Sequence, residues 1–340
     1  MKGRGGLLVA ASLALALATA GCGHPGPDAP TPPLSDSPAA RLEGLTQLDV
    51  RVANVAWRLA LANADLCPVN HPRAGWTLQS ANQYGAELRP LAIRRYGLEG
   101  DLPGVLAAPP DSPAARAGLA PGDLILAVDG RTLAPGAAGA ESYDGLEANL
   151  AVLDAALSRG PARLSVRRDG VVREVRLDPV LACANPAEVR VGGGSAAISR
   201  TGRILVPADM ATLAETDDQL AFLIAHELAH AVLEHSPPPA QPGVRGAANA
   251  RLTLRRGRTG GAEADADRLG LYLLARAGFD ARLATEFLVR FAEQQSLPDS
   301  PQISLVSGSL YRSPNGRRRA LQPVIEDIAA RAAAGRDLIP

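Results

Sequence analysis

Thr216–His235 reads TDDQLAFLIAHELAHAVLEH, and this stretch decides the fold of the chain. The spacing predicts a helix. Leu220, Leu223, Ile224 and Val232 recur at helical intervals, Thr216 or Asp217 can cap the start, and Pro237, Pro238 and Pro239 forbid continuation. On such a helix His226 and His230, four residues apart, lie one turn above the other on the same face. Two imidazoles so placed can hold one zinc ion, one per chain. Glu227 completes the order H-E-x-x-H and can reach a water on that ion, where it would act as general base. The competing reading is a chance match on a buried helix. With only five histidines in the chain, such a match is rare.

A third ligand has to come from elsewhere. A histidine six residues after His230 is absent, since Ser236 stands there, and His235 falls one short, off the ligand face, as a helix-end residue. That leaves a carboxylate. Glu263-Ala-Asp-Ala-Asp267-Arg-Leu-Gly270 opens a second expected helix, Ala262–Ala277, on which Glu263 and Asp267 face the same way. Glu263 can bind the metal. Asp267, one turn on, can accept the second ring N–H of a ligand histidine and fix its tautomer. Taken alone, these carboxylates would read as the acidic start of a solvated helix, favoured by its dipole. Downstream of H-E-x-x-H the ligand role is the better account.

The chain has 340 residues, 46% hydrophobic and 21% charged, enough for two domains with cores. Thirty-five basic side chains balance thirty-five acidic ones, so there is no basic footprint for nucleic acid and none is expected as a partner. Residues 1–22 look like a targeting segment. Lys2 and Arg4 precede the apolar run Leu7–Ala18, which is short for a membrane span, and Ala18-Thr19-Ala20-Gly21 leads to Cys22. Small residues before a cysteine resemble a bacterial lipoprotein signal with Cys22 lipidated; the alternative is an ordinary cleaved signal peptide. Gly23 after Cys22 is similar to sorting to the outer membrane, which implies a membrane contact through acyl chains only, at the periplasmic face of the envelope. Proline-rich residues 23–40 read as a tether. Cys67 and Cys183 remain; in an exported protein an even pair suggests a disulfide, with two buried free thiols as the alternative.

The apolar positions from Leu42 to Leu66 predict a first long helix. Between it and the H-E-x-x-H helix the texture changes. Ser112-Pro113 opens a short helix that Gly118 stops, Leu124–Val128 reads as a strand, and Asp129-Gly130 and Asp169-Gly170 read as hairpin turns. The run SPAARAGLAPGDLILAVDG, followed by a helix and a hairpin, resembles a PDZ domain of the bacterial protease type. That resemblance implies an extended peptide ligand added along a strand edge. The edge expected here is Gly104–Ala108, with Leu102, Pro103, Gly104, Val105 and Leu106 in contact with the peptide. The usual Gly-Leu-Gly-like pattern of the carboxylate-binding loop is missing at Leu102-Pro103-Gly104.

HELAH followed by E-x-x-A-D-R-x-G resembles the zinc metallopeptidase family that includes HtpX, the CaaX prenyl endopeptidases and the BepA-like periplasmic enzymes. Gly202-Arg203-Ile204 and Ala277-Gly278-Phe279-Asp280 extend the likeness. It implies His226, His230 and Glu263 as zinc ligands, Glu227 as catalytic base and Asp267 behind the ligands. The family often has a late His-Pro pair with an arginine several residues on. Here Ser313-Pro314 replaces the pair, Arg319 matches the arginine, and Tyr311 or Arg312 could assist in stabilising an oxyanion. The implied fold is α+β: a mainly helical gluzincin-type metallopeptidase domain with a small edge sheet, interrupted by a β-rich PDZ domain. Residues 41–96 would be the N-terminal part of the peptidase, 97–180 the PDZ domain and 181–340 the catalytic part, with Cys67 and Cys183 flanking the insertion. The implied activity is zinc-dependent endoproteolysis of misfolded or misassembled envelope proteins, with the PDZ domain recognising or regulating. The alternative is a PDZ-bearing periplasmic chaperone or assembly factor with little proteolysis.

Overall fold

The computed structural model describes residues 37–137, 139–191, 196–199, 202–235, 244–245, 261–294, 304–306, 309–311 and 314–340. The leader, Cys22 and most of the tether lie outside them. Helix α1 (Pro38–Ala62) opens the described chain, with Pro38 in the first turn where its missing N–H costs nothing. Its apolar stripe serves two cores. Leu45, Leu48, Val52, Val55 and Leu59 enter the larger one, and Leu42 enters the smaller. Among the described residues no helix is long and apolar enough to cross a membrane.

The smaller core lies on a twisted antiparallel sheet. Strands β1 (Val69–Arg73) and β2 (Thr77–Gln79) precede helix α2 (Arg89–Tyr96); then come β3 (Gly104–Ala107), helix α3 (Pro113–Arg116), β4 (Leu124–Val128), β5 (Arg131–Thr132), helix α4 (Asp144–Leu157), β6 (Ala162–Arg168) and β7 (Val171–Leu177). The strand order is β2-β3-β4-β6-β7, with β5 paired to β4. Asp129-Gly130 and Asp169-Gly170 hold the positive φ angles that tight hairpins need, and Ser112 accepts the N–H of Ala115 at 3.0 Å to cap α3.

Two sequence expectations change here. The sheet recruits Thr77–Gln79, so this core reaches back to Ala74, well before residue 97. Strand β3 is also not an edge: Gly104 faces Gln79 on one side and Leu124 on the other, and Leu102, Pro103, Gly104, Val105 and Leu106 are all buried. A peptide cannot add to a strand already paired on both sides, so the contact expected at residues 102–106 is withdrawn. Among the described residues the sheet has two free edges, β7 at one end and, beside β3, the strand β2. Strand β2 opens, with Leu150 of α4, onto a cavity of about 300 Å³ whose other wall carries Trp57 of α1 and Arg203.

The two cores are joined through α1 and through a strand ladder. Strand β1 pairs antiparallel with β8 (Val180–Cys183), from Asn70↔Cys183 to Arg73↔Val180, so the chain leaves and re-enters the half with the larger core along one ladder. At its base Cys67 and Cys183 form a disulfide with 5.5 Å between their Cα atoms. The larger core follows. Strands β9 (Ala187–Arg190), β10 (Ala197–Ile198) and β11 (Ile204–Pro207) form a sheet in the order β10-β11-β9, and helices α5 (Ala208–Leu213) and α6 (Asp217–Val232) come next. After β12 (Val244–Arg245), which pairs with β1, come helices α7 (Ala262–Arg276), α8 (Ala281–Ala284) and α9 (Glu286–Gln294). A break at Thr285 separates α8 from α9. The hairpin β13 (Ser304–Val306) and β14 (Ser309–Tyr311) precedes the final helix α10 (Pro314–Ala333).

One carboxyl group on α1 sets a pH dependence. Burial pushes the half-buried Asp49 up to about 7, against the backbone hydrogen bond from Val189 and with Glu188 adding repulsion. An acid raised in the fold is best tolerated protonated. Its contribution is therefore most favourable below about pH 4, the usual aspartate value, and is lost as pH rises towards 7. Asp49→Asn should stabilise the protein more at pH 8 than at pH 5, by about 2 kcal/mol, as read by urea denaturation at both values. An equal effect at the two pH values would contradict the assignment.

Candidate metal centre

Helix α6 is buried nearly all round, and after its polar first turn Asp217-Asp218-Gln219 only His226, Glu227 and His230 break its apolar composition. Thr216 caps it by accepting the N–H of Gln219 at 3.3 Å. Asp217 and Asp218 complement the positive helix start, and each also anchors it. Asp217 accepts from Arg51 of α1 at 2.8 Å, and Asp218 accepts the N–H of Asp280 at 2.8 Å. Helix α7 packs across α6 and brings a second set of polar groups to His226. The close approach depends on Gly270. A Cβ there would lie 3.2–3.3 Å from backbone atoms of Ala225 and His226. Gly270→Val should force the helices apart, cost about 1–3 kcal/mol and weaken metal retention in chelator competition; unchanged retention would show that this approach does not set the site.

Ring and carboxylate atoms of His226, His230 and Glu263 converge. Nε2 of His226 lies 3.2 Å from Nε2 of His230 and 3.2 Å from Oε2 of Glu263, and His230 Nε2 lies 3.5 Å from the same oxygen. The edges of a tetrahedron around zinc, with ligand bonds near 2.0–2.1 Å, are about 3.3–3.4 Å. The three atoms therefore already stand where one zinc ion would hold them. Two imidazoles and a carboxylate also leave a fourth position for water or substrate, the donor set of catalytic rather than structural sites. Among the described residues this is the one group of ligating side chains gathered this way.

Electrostatics at the centre favour positive charge. Burial works against a charged His226 ring, but Asp267 and Glu263 outweigh it and hold its pKa up at about 9. Burial also raises the Glu263 carboxyl, yet the two histidines more than offset this and carry it well below the usual range. Glu227, buried beside them, is pushed up by desolvation, which His226 and His230 partly oppose. A carboxylate whose proton affinity is raised is suited to take and return a proton.

Asp267 is where its spacing placed it. His226 Nδ1 donates to Asp267 Oδ1 at 2.8 Å, which leaves the Nε2 lone pair available to a metal ion. Burial raises the Asp267 carboxyl, but Arg317 and His226 outweigh burial and hold it at about 2. Arg317 is the residue that sequence spacing missed. Its guanidinium grips both Asp267 oxygens, with Nε 2.8 Å from Oδ2. Arg319, favoured by the resemblance, is exposed on α10 instead. The buried stripe of α10 separates them. Arg317 lies four residues before Leu321 on the stripe continued by Val324, Ile325 and Ile328, whereas Arg319 falls two residues off it. The side chain of Tyr311 and the whole of Arg312 lie outside the described residues. His235, set aside as a helix-end residue, is also part of the centre: its Nδ1 is 3.1 Å from Nδ1 of His230.

Residues 196–238 match the family model described as Peptidase family M48, and residues 104–138 match that of a PDZ domain. The first match spans β10, β11, α5 and α6 but stops before Glu263; the second spans β3 to β5 but not the edge strand β2. No curated protein matches the chain.

Proposed function

We propose that this chain is a zinc-dependent endopeptidase of the M48 type carrying a PDZ domain, a reading that the two family-model matches support. The observation that carries the proposal is the convergence of His226, His230 and Glu263 at tetrahedral spacing with Glu227 one residue along the same helix. Bound there, zinc would supply Lewis acidity, polarising the scissile carbonyl and acidifying a water. Glu227 takes the proton of that water and passes it to the leaving amine. Asp267, clamped by Arg317, keeps the proton of His226 on Nδ1. Among the described residues the short strand β10 pairs only with β11, which leaves an edge beside α6 for an extended substrate backbone, a binding mode tolerant of side-chain sequence.

The leader ending at Cys22 supports export and anchoring by lipid at the periplasmic face of the outer membrane, and with it a diet of misfolded or misassembled envelope proteins. The cavity along the free edge of β2, shared between the PDZ sheet and α1, supports a role for the PDZ domain in holding a peptide or regulating the peptidase half. The test is direct. Purified protein should contain one zinc per chain and cleave casein, lose cleavage on exhaustive chelation, and regain it with stoichiometric zinc. Cleavage indifferent to chelation would overturn the proposal. So would tight zinc binding with no cleavage of any unfolded protein.

A further inference from the structure

The two imidazoles of the metal centre are backed by unlike groups. Behind His226 stands an anion, Asp267, itself gripped by Arg317. Behind His230 stands a third imidazole, His235, with the ring centroids 5.2 Å apart. A neutral imidazole has one ring N–H and one lone pair. Nε2 of His230 faces His226 Nε2 and Glu263 Oε2, where only a lone pair can serve a metal. Its proton is therefore on Nδ1. The partner of that N–H is Nδ1 of His235 at 3.1 Å, which must then be the acceptor, with the His235 proton on Nε2.

The chain builds this contact by the way it ends helix α6. The helix stops at Val232, Leu233 caps it, and Glu234 takes a left-handed conformation with φ 57°. That reversal lets the His235 N–H donate to the carbonyl of His230 at 2.8 Å and turns the ring back over the last turn. On a helix continued past Val232, a residue five positions after His230 would point well away from it. The ring ends up buried, at 9% exposure.

We propose that His235 is the positioning residue for the metal ligand His230: its Nδ1 lone pair holds the His230 tautomer and ring plane that present Nε2 to the ion. This rests on the metal-site reading above. The centre is then asymmetric. One ligand is held by a clamped carboxylate on another helix, and the other by a neutral acceptor from its own helix end.

The experiment is zinc competition against a chromophoric chelator on the full-length protein, with His235→Phe and His235→Asn. Phenylalanine keeps a ring but offers no acceptor. Asparagine places an amide oxygen about where Nδ1 stood. His235→Phe should bind zinc about 10–100-fold more weakly, and His235→Asn should recover most of that loss. Nitrogen-15 correlation spectra of the histidine-labelled wild-type zinc protein should show His230 protonated on Nδ1 and His235 on Nε2, a readout independent of whether a variant folds. Wild-type zinc affinity in His235→Phe, equal losses in both variants, or a His235 proton on Nδ1 would each overturn the proposal. If wild-type protein binds no zinc, the metal-site reading itself fails. Tight wild-type binding with indifferent variants removes only the role of His235.

Discussion

Glu227→Gln is expected to retain its zinc and to lose casein cleavage by about a thousandfold, within the usual span for removing a general base. Glutamine is nearly isosteric, so the helix and its packing should survive. The proposed ligand atoms belong to His226, His230 and Glu263, so metal content should not change. What disappears is the only group on α6 that can accept a proton beside the ligands and return it. Burial raises the proton affinity of Glu227, and the neighbouring histidines temper the rise, which places it closer to the working range than an exposed glutamate. Metal analysis and turnover measured on the same preparation provide the check. Turnover within a fewfold of wild type would refute the role of Glu227, whereas loss of zinc together with activity would make the residue structural instead.

Removing the disulfide should produce the largest change in stability. Cys67 and Cys183 are 116 residues apart in sequence, and closing a loop of that size restricts the unfolded chain by about 4–5 kcal/mol in the entropy model. The bond also sits at the foot of the β1–β8 ladder, through which one core is tethered to the other. The Cys67→Ser, Cys183→Ser double variant should unfold at markedly lower denaturant. Its transition should also broaden or split, because the PDZ core can then loosen before the peptidase core. Denaturation followed by tryptophan fluorescence and circular dichroism would report both effects. Coincident curves for oxidised and double-serine protein would show that the ladder and α1 couple the cores without help from the bond.

Much of the centre could be read from local spacing. Histidines at 226 and 230, and carboxylates at 263 and 267, share helix faces as soon as those stretches are helical, and the caps and prolines that make them helical are themselves local. The Asp-Gly hairpins and the Ser112 cap were legible for the same reason. Three other features were not. The residues around Thr77 can be read locally as a short strand, but Thr77–Gln79 becomes a sheet edge only by pairing with β3 across the intervening α2. Arg317 could be told from Arg319 only by knowing which stripe of α10 is buried. His235 came to His230 only because Glu234 reverses the chain where α6 stops.

By itself, then, the sequence determined which candidate side chains share a helix face, His226 with His230 and Glu263 with Asp267, since an intrahelical spacing of four residues places side chains together whatever the rest of the chain does; that the two pairs meet was decided by the packing of α7 on α6. Only the tertiary structure decided what stands behind each ligand and which strand edge is free. Both depend on contacts between segments far apart in sequence or on a backbone reversal, and these are settled by which surfaces the cores bury.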